Sequence, residues 1–385
     1  MALPEGMDSN CISQGDFVML EHGGKLRMAA RDYGIPLEQW LDLSTGVSPV
    51  SYPIPEIPSR SWHRLPEEDD GLEEAACNYF QVDYLLPVAG SQAAIQTLPL
   101  LRRKCRAGFL STSYNEHLHA WKGNGHEVTI IDINDFKPGQ QEQTLEQELY
   151  KQAERLDVLV LPNPNNPTGT LLTPDTLIKL ANILGKKGGW LIVDEAFIDA
   201  HEAALHSVSR KTGDNEALIV LRSLGKFFGL AGTRVGFVLA WRSLLIELRE
   251  HLGPWTISGP ARYVAQKALA DTKWIAATKL MLQNSAQRLH TLLSANGLEP
   301  SGGSHMFQWV KSADAREIQK HLGRQAILTR LFEDPLSLRF GLPHSETDWQ
   351  RLETALQGLT KLGLDGNYSH EIVRGEKTAA NLMQI

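Results

Sequence analysis

Three short runs, Leu156–Pro162 (LDVLVLP), Gly189–Ala196 (GWLIVDEA) and Ala217–Ser223 (ALIVLRS), are apolar at nearly every position rather than at every second one. A strand with one wet face alternates apolar and polar residues. An unbroken apolar run of this length reads as a strand covered on both faces, the habit of parallel sheets. Ala107–Ser111, His126–Asp132 and Val235–Ala240 repeat the pattern. Helical stretches lie between several of these runs, the clearest being Thr173–Gly188, which opens on Thr-Pro and stops on Gly. Strand–helix alternation of this kind implies an α/β unit built on a mainly parallel sheet.

After about Gly259 the rhythm changes. A long helical region, Ala261–Gly297, precedes a strand-like Ser304–Lys311, a helix around Ala313–Arg324 and a second strand-like run, Leu336–Pro343. That order predicts a smaller α+β domain. The expected organisation is an arm with little regular structure and part of the small domain over 1–60, a large domain over 61–258, a small domain over 259–365 and a tail over 366–385. A chain of 385 residues is long enough for one large core and a second, smaller one.

Charge and cysteine usage narrow the function classes. The net charge of -7 leaves no basic field for a nucleic-acid backbone. Cys11, Cys77 and Cys105 are odd in number and form no CxxC pair, which argues for a reducing compartment and against a metal or disulfide framework. No stretch approaches the roughly 18 apolar residues of a membrane span. The opening residues carry no basic region ahead of an apolar core, so a cytoplasmic location is expected. Tryptophans such as Trp62, Trp121 and Trp255 are expected to be packing residues.

Chemistry concentrates at the ends of the predicted strands, where parallel sheets bind ligands. Pro162–Gly169 (PNPNNPTG) follows one strand, Asp194 ends the next, Ser223–Lys226 (SLGK) ends another, and Arg234 opens the one after. A lysine in an apolar segment has a depressed pKa and is a better nucleophile towards a carbonyl. An aspartate can hold a pyridinium nitrogen protonated, and Asn166 can donate to a ring oxygen. Ser223, Arg234 and the small-residue turn Ala89–Ala94, with Gly90, Ser91 and Gln92 at its centre, suit a phosphate. Tyr114 can cover an aromatic ring, with His117 its rival for that place. Together these describe a pyridoxal phosphate site with a lysine attachment point and an acidic partner at the ring nitrogen. Read singly, each has a plainer meaning: turn chemistry for Asn166, a helix cap for Asp194 or Ser91, core packing for Tyr114. The set, in this order, decides against those meanings for Asn166 and Asp194; for Ser91 a helix cap and a phosphate contact can be the same act, and core packing stays open for Tyr114.

The motifs PNNPTG, Asp194, SLGK and Arg234, with 28 residues from Asn166 to Asp194 and 32 more to Lys226, resemble the aspartate-aminotransferase superfamily. The resemblance covers about His22 to Leu364. It implies the pyridoxal-phosphate-dependent transferase fold, type I, with a mainly parallel seven-stranded sheet. Within the superfamily, Glu21–Gly24 (EHGG), Leu41–Pro49 (LDLSTGVSP), Asp194–Asp199 (DEAFID) and Leu221–Phe237 are most similar to the L-threonine O-3-phosphate decarboxylases of cobalamin biosynthesis. That resemblance implies decarboxylation to 1-amino-2-propanol O-phosphate, in a homodimer. Lys226 would carry the cofactor, Asp194 would pair with its nitrogen and Asn166 with its ring oxygen. Ser91, Ser223 and Arg234 would hold its phosphate, and Arg339 would clamp the substrate carboxylate. His22, Gly23 and Gly24 would close over the site, with His22 near the substrate phosphate. The alternatives are an aminotransferase, such as one acting on histidinol phosphate, and a catalytically silent regulatory protein of the same fold. Phe197 stands where histidinol-phosphate aminotransferases usually have Tyr. Ser48 replaces an asparagine of the family's INP motif, and Arg64–Asp70 (RLPEEDD) stands where many relatives have YPD.

Overall fold

The structure is a computed structural model that describes residues 22–133 and 141–361. Cys11, Glu21, the first part of the arm and the expected tail over 366–385 lie outside the described residues. The arm holds more structure than its Pro and Gly content suggests. Helix α1 (Leu26–Tyr33) ends on Gly34 in the left-handed region, and strand β1 (Leu41–Asp42) follows. Ala29, Trp40 and Ala326 form a small apolar cluster of their own, backed by Leu26 and Ile35, which gives the short helix a surface to bury.

The large domain opens with α2 (Leu72–Phe80) and continues through β2 (Leu86–Val88), α3 (Ser91–Thr97), β3 (Arg106–Leu110), α4 (Asn115–Gly123) and β4 (Glu127–Ile131). It then runs α5 (Gln141–Ala153), β5 (Val158–Pro162), α6 (Pro174–Gly185), β6 (Trp190–Asp194), β7 (Leu218–Ser223), β8 (Gly236–Leu239) and α7 (Arg242–Leu252). The sheet order is β2-β8-β7-β6-β5-β3-β4. All neighbours are parallel except at β8, which is antiparallel to both β2 and β7. The apolar runs are explained by two cores. Leu159, Leu161, Leu191, Val193, Leu218 and Val220 belong to one, while Val158, Val160, Ile192, Ile219 and Leu221 belong to the other. Successive residues of a strand point to opposite faces, so both parities must be apolar.

The predicted long helical region is two helices, α8 (Gly259–Ala270) and α9 (Thr272–Ala295). The break is at Asp271, whose carboxylate accepts from the Trp274 N–H and caps α9. Helix α8 is fastened to the large domain: Arg262 donates to Asp70 twice at 2.7 Å and to Glu73 at 2.6 Å. The Arg64–Asp70 stretch thus ends in a structural ion pair. After β9 (Gly302–Ser304) and β10 (Phe307–Lys311) come α10 (Ala315–Arg324), β11 (Ile327–Leu328), β12 (Arg330–Glu333), β13 (Leu336–Gly341) and α11 (Glu346–Lys361). Strands β12-β13-β10-β9 make an antiparallel sheet, and β1 pairs in parallel with β11, so the arm is built into the small domain. Trp121 is buried, as a packing role requires. Trp62 and Trp255 are 65% and 59% exposed, so the packing role expected of them is not met within this chain.

Candidate active site

The site lies at the carboxyl ends of β5, β6 and β7. Register brings its parts level, with Pro162 opposite Asp194 and Asp194 opposite Leu221. The reversal at β8 matters as much. Because β8 runs against its neighbours, its first residue, Gly236, pairs with Ser223 at the end of β7 and with Val88 at the end of β2. Arg234, Ser223 and the Gly90–Ser91 turn are thereby brought to one place. Their fit is close: a Cβ at Gly236 would lie 2.4 Å from the Ser91 nitrogen, and one at Gly90 would lie 2.6 Å from Nη2 of Arg234. Gly90 has φ +72° and Arg234 φ +52°, both left-handed. Such strain in a non-glycine residue persists where its surroundings enforce it.

Lys226 follows β7 in a turn held by its own carbonyl, which accepts from the Ser48 N–H at 3.0 Å and the Gly229 N–H at 3.1 Å. Its Nζ lies 5.5 Å from the centroid of the buried Phe197 ring. Burial is the main cause that lowers its pKa to about 8; Arg339 and Arg234 add to the fall and Asp194 opposes it. Asp194 is buried at the end of β6, where Oδ2 meets Nε2 of His117 at 3.0 Å and Oδ1 accepts from the Ala196 N–H at 3.1 Å. The neighbouring Glu195 faces away from the site. Arg222 reaches it at 3.2 Å and also pairs with Asp199, which accepts from the Tyr79 hydroxyl at 2.9 Å. Acidic neighbours of Asp194 are thus neutralised beneath the sheet.

Asn166 and Arg339 come together from the two domains, with Nη1 donating to Oδ1 at 2.5 Å. Nη2 donates to the Ser44 carbonyl at 2.6 Å. Nε of Arg339 is buried and has no hydrogen-bond partner. Burial lowers this guanidinium's pKa to about 10, with Arg330 adding to the effect and Asp42 opposing it. A buried donor without a partner is costly, and an anionic oxygen would relieve it. Gly24 donates to Ser44 Oγ at 2.7 Å, and Gly23 lies so close to the Ser44 carbonyl that a Cβ would come within 2.3 Å. His22 pairs with Glu116 at 2.6 Å.

Tyr114 and His117 resolve into different layers. His117 is buried on Asp194, while Tyr114 stands at the residue before α4 and its hydroxyl donates to Gln92 Oε1 at 3.4 Å. The two rings stand edge to face, 6.0 Å apart. Ser48 turns its hydroxyl onto the Val50 carbonyl at 2.8 Å, closing its own turn. Glu116, Ser44 and the His117–Asp194 contact were not anticipated from the sequence; the polar first turn of α4, Asn115-Glu116-His117, carries no signal of what it will meet.

The family model for aminotransferase class I and II matches residues 58–356. The chain belongs to the class I and II aminotransferase family. Its cofactor is pyridoxal phosphate. Among its relatives, the threonine-phosphate decarboxylase of Pseudomonas aeruginosa is 50% identical over 88% of this chain and 98% of that protein. The threonine-phosphate decarboxylase of a Sinorhizobium species is 38% identical over 87% of this chain and 97% of that protein. A solved histidinol-phosphate aminotransferase from Sinorhizobium meliloti, in complex with pyridoxal-5'-phosphate, has the same fold, with TM-score 0.74, 19% identity and coverage of 91% of this chain and 99% of that one. No helix among the described residues is long and apolar enough to cross a membrane.

The residues fit the cofactor. An amine of lowered pKa has as its charged neighbours a buried carboxylate, a guanidinium with an orphaned nitrogen, and Arg234, which packs on a Gly90 turn with no room for a Cβ.

Proposed function

We propose that this chain decarboxylates L-threonine O-3-phosphate, releasing CO₂ and (R)-1-amino-2-propanol O-phosphate for cobalamin biosynthesis. The observation that carries the reading is the 50% identity to a threonine-phosphate decarboxylase along 98% of that protein's length. When bound, pyridoxal phosphate supplies an electron sink for whichever bond at the amino acid's Cα stands perpendicular to its ring.

The chain's residues do the rest. Lys226 attaches the cofactor through its ε-amine, a role helped by its lowered pKa. Asp194, oriented by His117, holds a proton on the ring nitrogen; Asn166 meets the ring oxygen. Gly90, Ser91, Gln92, Ser223 and Arg234 hold the phosphate, and Tyr114 covers the ring. Arg339, pinned through both Nη atoms, presents Nε to the substrate carboxylate. His22, Gly23 and Gly24 cover the substrate. Anchoring the carboxylate sets which bond at Cα stands perpendicular, and a misplacement of about 1 Å costs on the order of a hundredfold. After the carboxylate departs as CO₂, the freed Lys226 ammonium returns a proton to Cα. Phe197 offers no hydroxyl to the ring oxygen, unlike the tyrosine usual in histidinol-phosphate aminotransferases.

The same reading takes 61–258 as the cofactor-binding domain and 259–365 as the small domain, with α8 crossing back onto α2 through the bond from Arg262 to Glu73. It includes a homodimer and a cytoplasmic location; Cys77 and Cys105, both free, are in keeping with the latter. The test is mass analysis of products from O-phospho-L-threonine, with pyridoxal phosphate and no keto acid. CO₂ and the amino alcohol phosphate in equal amounts are expected. A keto product, with conversion of the cofactor to its amine form, overturns the reading in favour of an aminotransferase. Binding without any product would favour a silent regulator.

A further inference from the structure

One carboxylate meets two of the arm and cofactor residues at once. Glu116, in the first turn of α4, is mostly buried, and its Oε1 lies 2.6 Å from His22 Nε2. Its Oε2 accepts from Gln92 Nε2 at 2.7 Å. An ionised carboxylate only accepts hydrogen bonds, so both partners must donate. That requirement turns the Gln92 amide so that its oxygen faces Tyr114, whose hydroxyl donates to it at 3.4 Å. Burial, and after it the Glu116 charge, pushes the Tyr114 hydroxyl well above its ordinary pKa and keeps it a donor. The His22 ring also stands 6.0 Å from the Tyr114 ring.

The arm is fastened at its other end too. Gly24 bonds Ser44 Oγ, and the Ser44 carbonyl accepts from Arg339. Residues 22–24 therefore stretch from α4 of the large domain to the loop that pins the Arg339 guanidinium. We propose that Glu116 is a positioning residue: it fastens the arm at His22 and, through Gln92, aligns Tyr114, so the cofactor end and the substrate end of the site are set together. Glutamate suits the task where its neighbours in chemistry do not. Glutamine has one acceptor oxygen for two donors, and aspartate is a methylene too short to span between His22 and Gln92. The inference rests on the proposed function for the substrate it names, but not for the contacts.

The test compares Glu116→Ala, Glu116→Gln and Glu116→Asp in the full chain. It measures pyridoxal phosphate affinity by absorbance titration of the apo-protein, tryptic cleavage after Lys25 and Arg27, and kcat and KM for O-phospho-L-threonine. In Glu116→Ala the cofactor affinity should fall, and KM and arm cleavage rise, each on the order of tenfold, with kcat changing less. Glu116→Gln and Glu116→Asp should each fall between Glu116→Ala and the parent. If Glu116→Ala melts early, the isosteric Glu116→Gln carries the test. Cofactor affinity and arm cleavage both within about twofold of the parent, at an unchanged thermal midpoint, overturn the proposal. Should the parent release no CO₂ from O-phospho-L-threonine, the functional reading fails, while titration and cleavage still decide the role of Glu116.

Discussion

At the scale of single residues, Lys226 and Arg339 are electrostatically joined. Each loses solvation on burial, and the guanidinium further disfavours the charged amine. A neutral amine is the form that combines with an aldehyde. The rate at which apo-protein takes up pyridoxal phosphate should therefore rise with pH around a midpoint of about 8, not near the 10.5 of an ordinary lysine. Arg339→Gln removes a positive neighbour, so the midpoint should move upward. The same substitution should cost decarboxylation on the order of a hundredfold in kcat/KM, because the charged anchor that Nε offers the carboxylate is lost and the carboxylate is misplaced. Stopped-flow absorbance across pH reads the first effect, and an unmoved midpoint in Arg339→Gln would refute the coupling. Lys226 was legible in the sequence because a strand end and the SLGK turn mark it, whereas Arg339 was legible only through the family resemblance. Glu116, Ser44 and the His117–Asp194 contact were not: their partners lie 94, 295 and 77 residues away, and nothing local marks them.

At the scale of elements, the junction between the domains depends on two turns that come into backbone contact. Gly169, at the end of the PNNPTG turn, has φ +76°, and a Cβ there would lie 1.8 Å from the Gly303 carbonyl oxygen, a backbone atom of β9. Gly188, after α6, has a similar φ of +68° but nothing within 4 Å. Gly188→Ala should cost about 1 kcal/mol, the conformational term alone. Gly169→Ala adds a clash between two backbones that neither can avoid, so it should cost about 3 kcal/mol or more and lower cofactor affinity as well. Denaturant titration of both variants checks the difference; equal losses would mean the turns separate easily. The sheet strands were readable because both faces are covered, so their apolar runs are unbroken. The direction of β8 was not, since a run buried on both sides is the same whichever way it points. The break at Asp271 was hidden because an N-cap aspartate inside a helical pattern is also an ordinary helix-surface residue. Strands β9, β11 and β12 and helix α1 are too short for periodicity to register.

At the scale of the whole molecule, the two exposed tryptophans are the feature a single chain does not account for. The backbones that carry them meet: a Cβ at Gly259 would lie 2.4 Å from the Ser61 carbonyl oxygen, next to Trp62 and four residues after Trp255. Ile54 and Leu65, nearby in sequence to Trp62, are also exposed. Trp255 sits on positive φ, at 58°, a sparsely populated setting for a non-glycine residue. Covering the exposed part of each indole contributes on the order of 2–4 kcal/mol, and a two-fold interface would use every such contact twice. The proposed homodimer would supply that cover. Trp255→Glu should then shift the chain from dimer to monomer at micromolar concentration in sedimentation velocity. The monomer should keep its secondary structure, because the ring is more than half exposed and belongs to none of the core clusters. Leu280→Glu, an equally exposed apolar position on α9, should leave the dimer intact. A parent chain that sediments as a monomer, or a Trp255→Glu variant that stays dimeric, would remove this face from the interface.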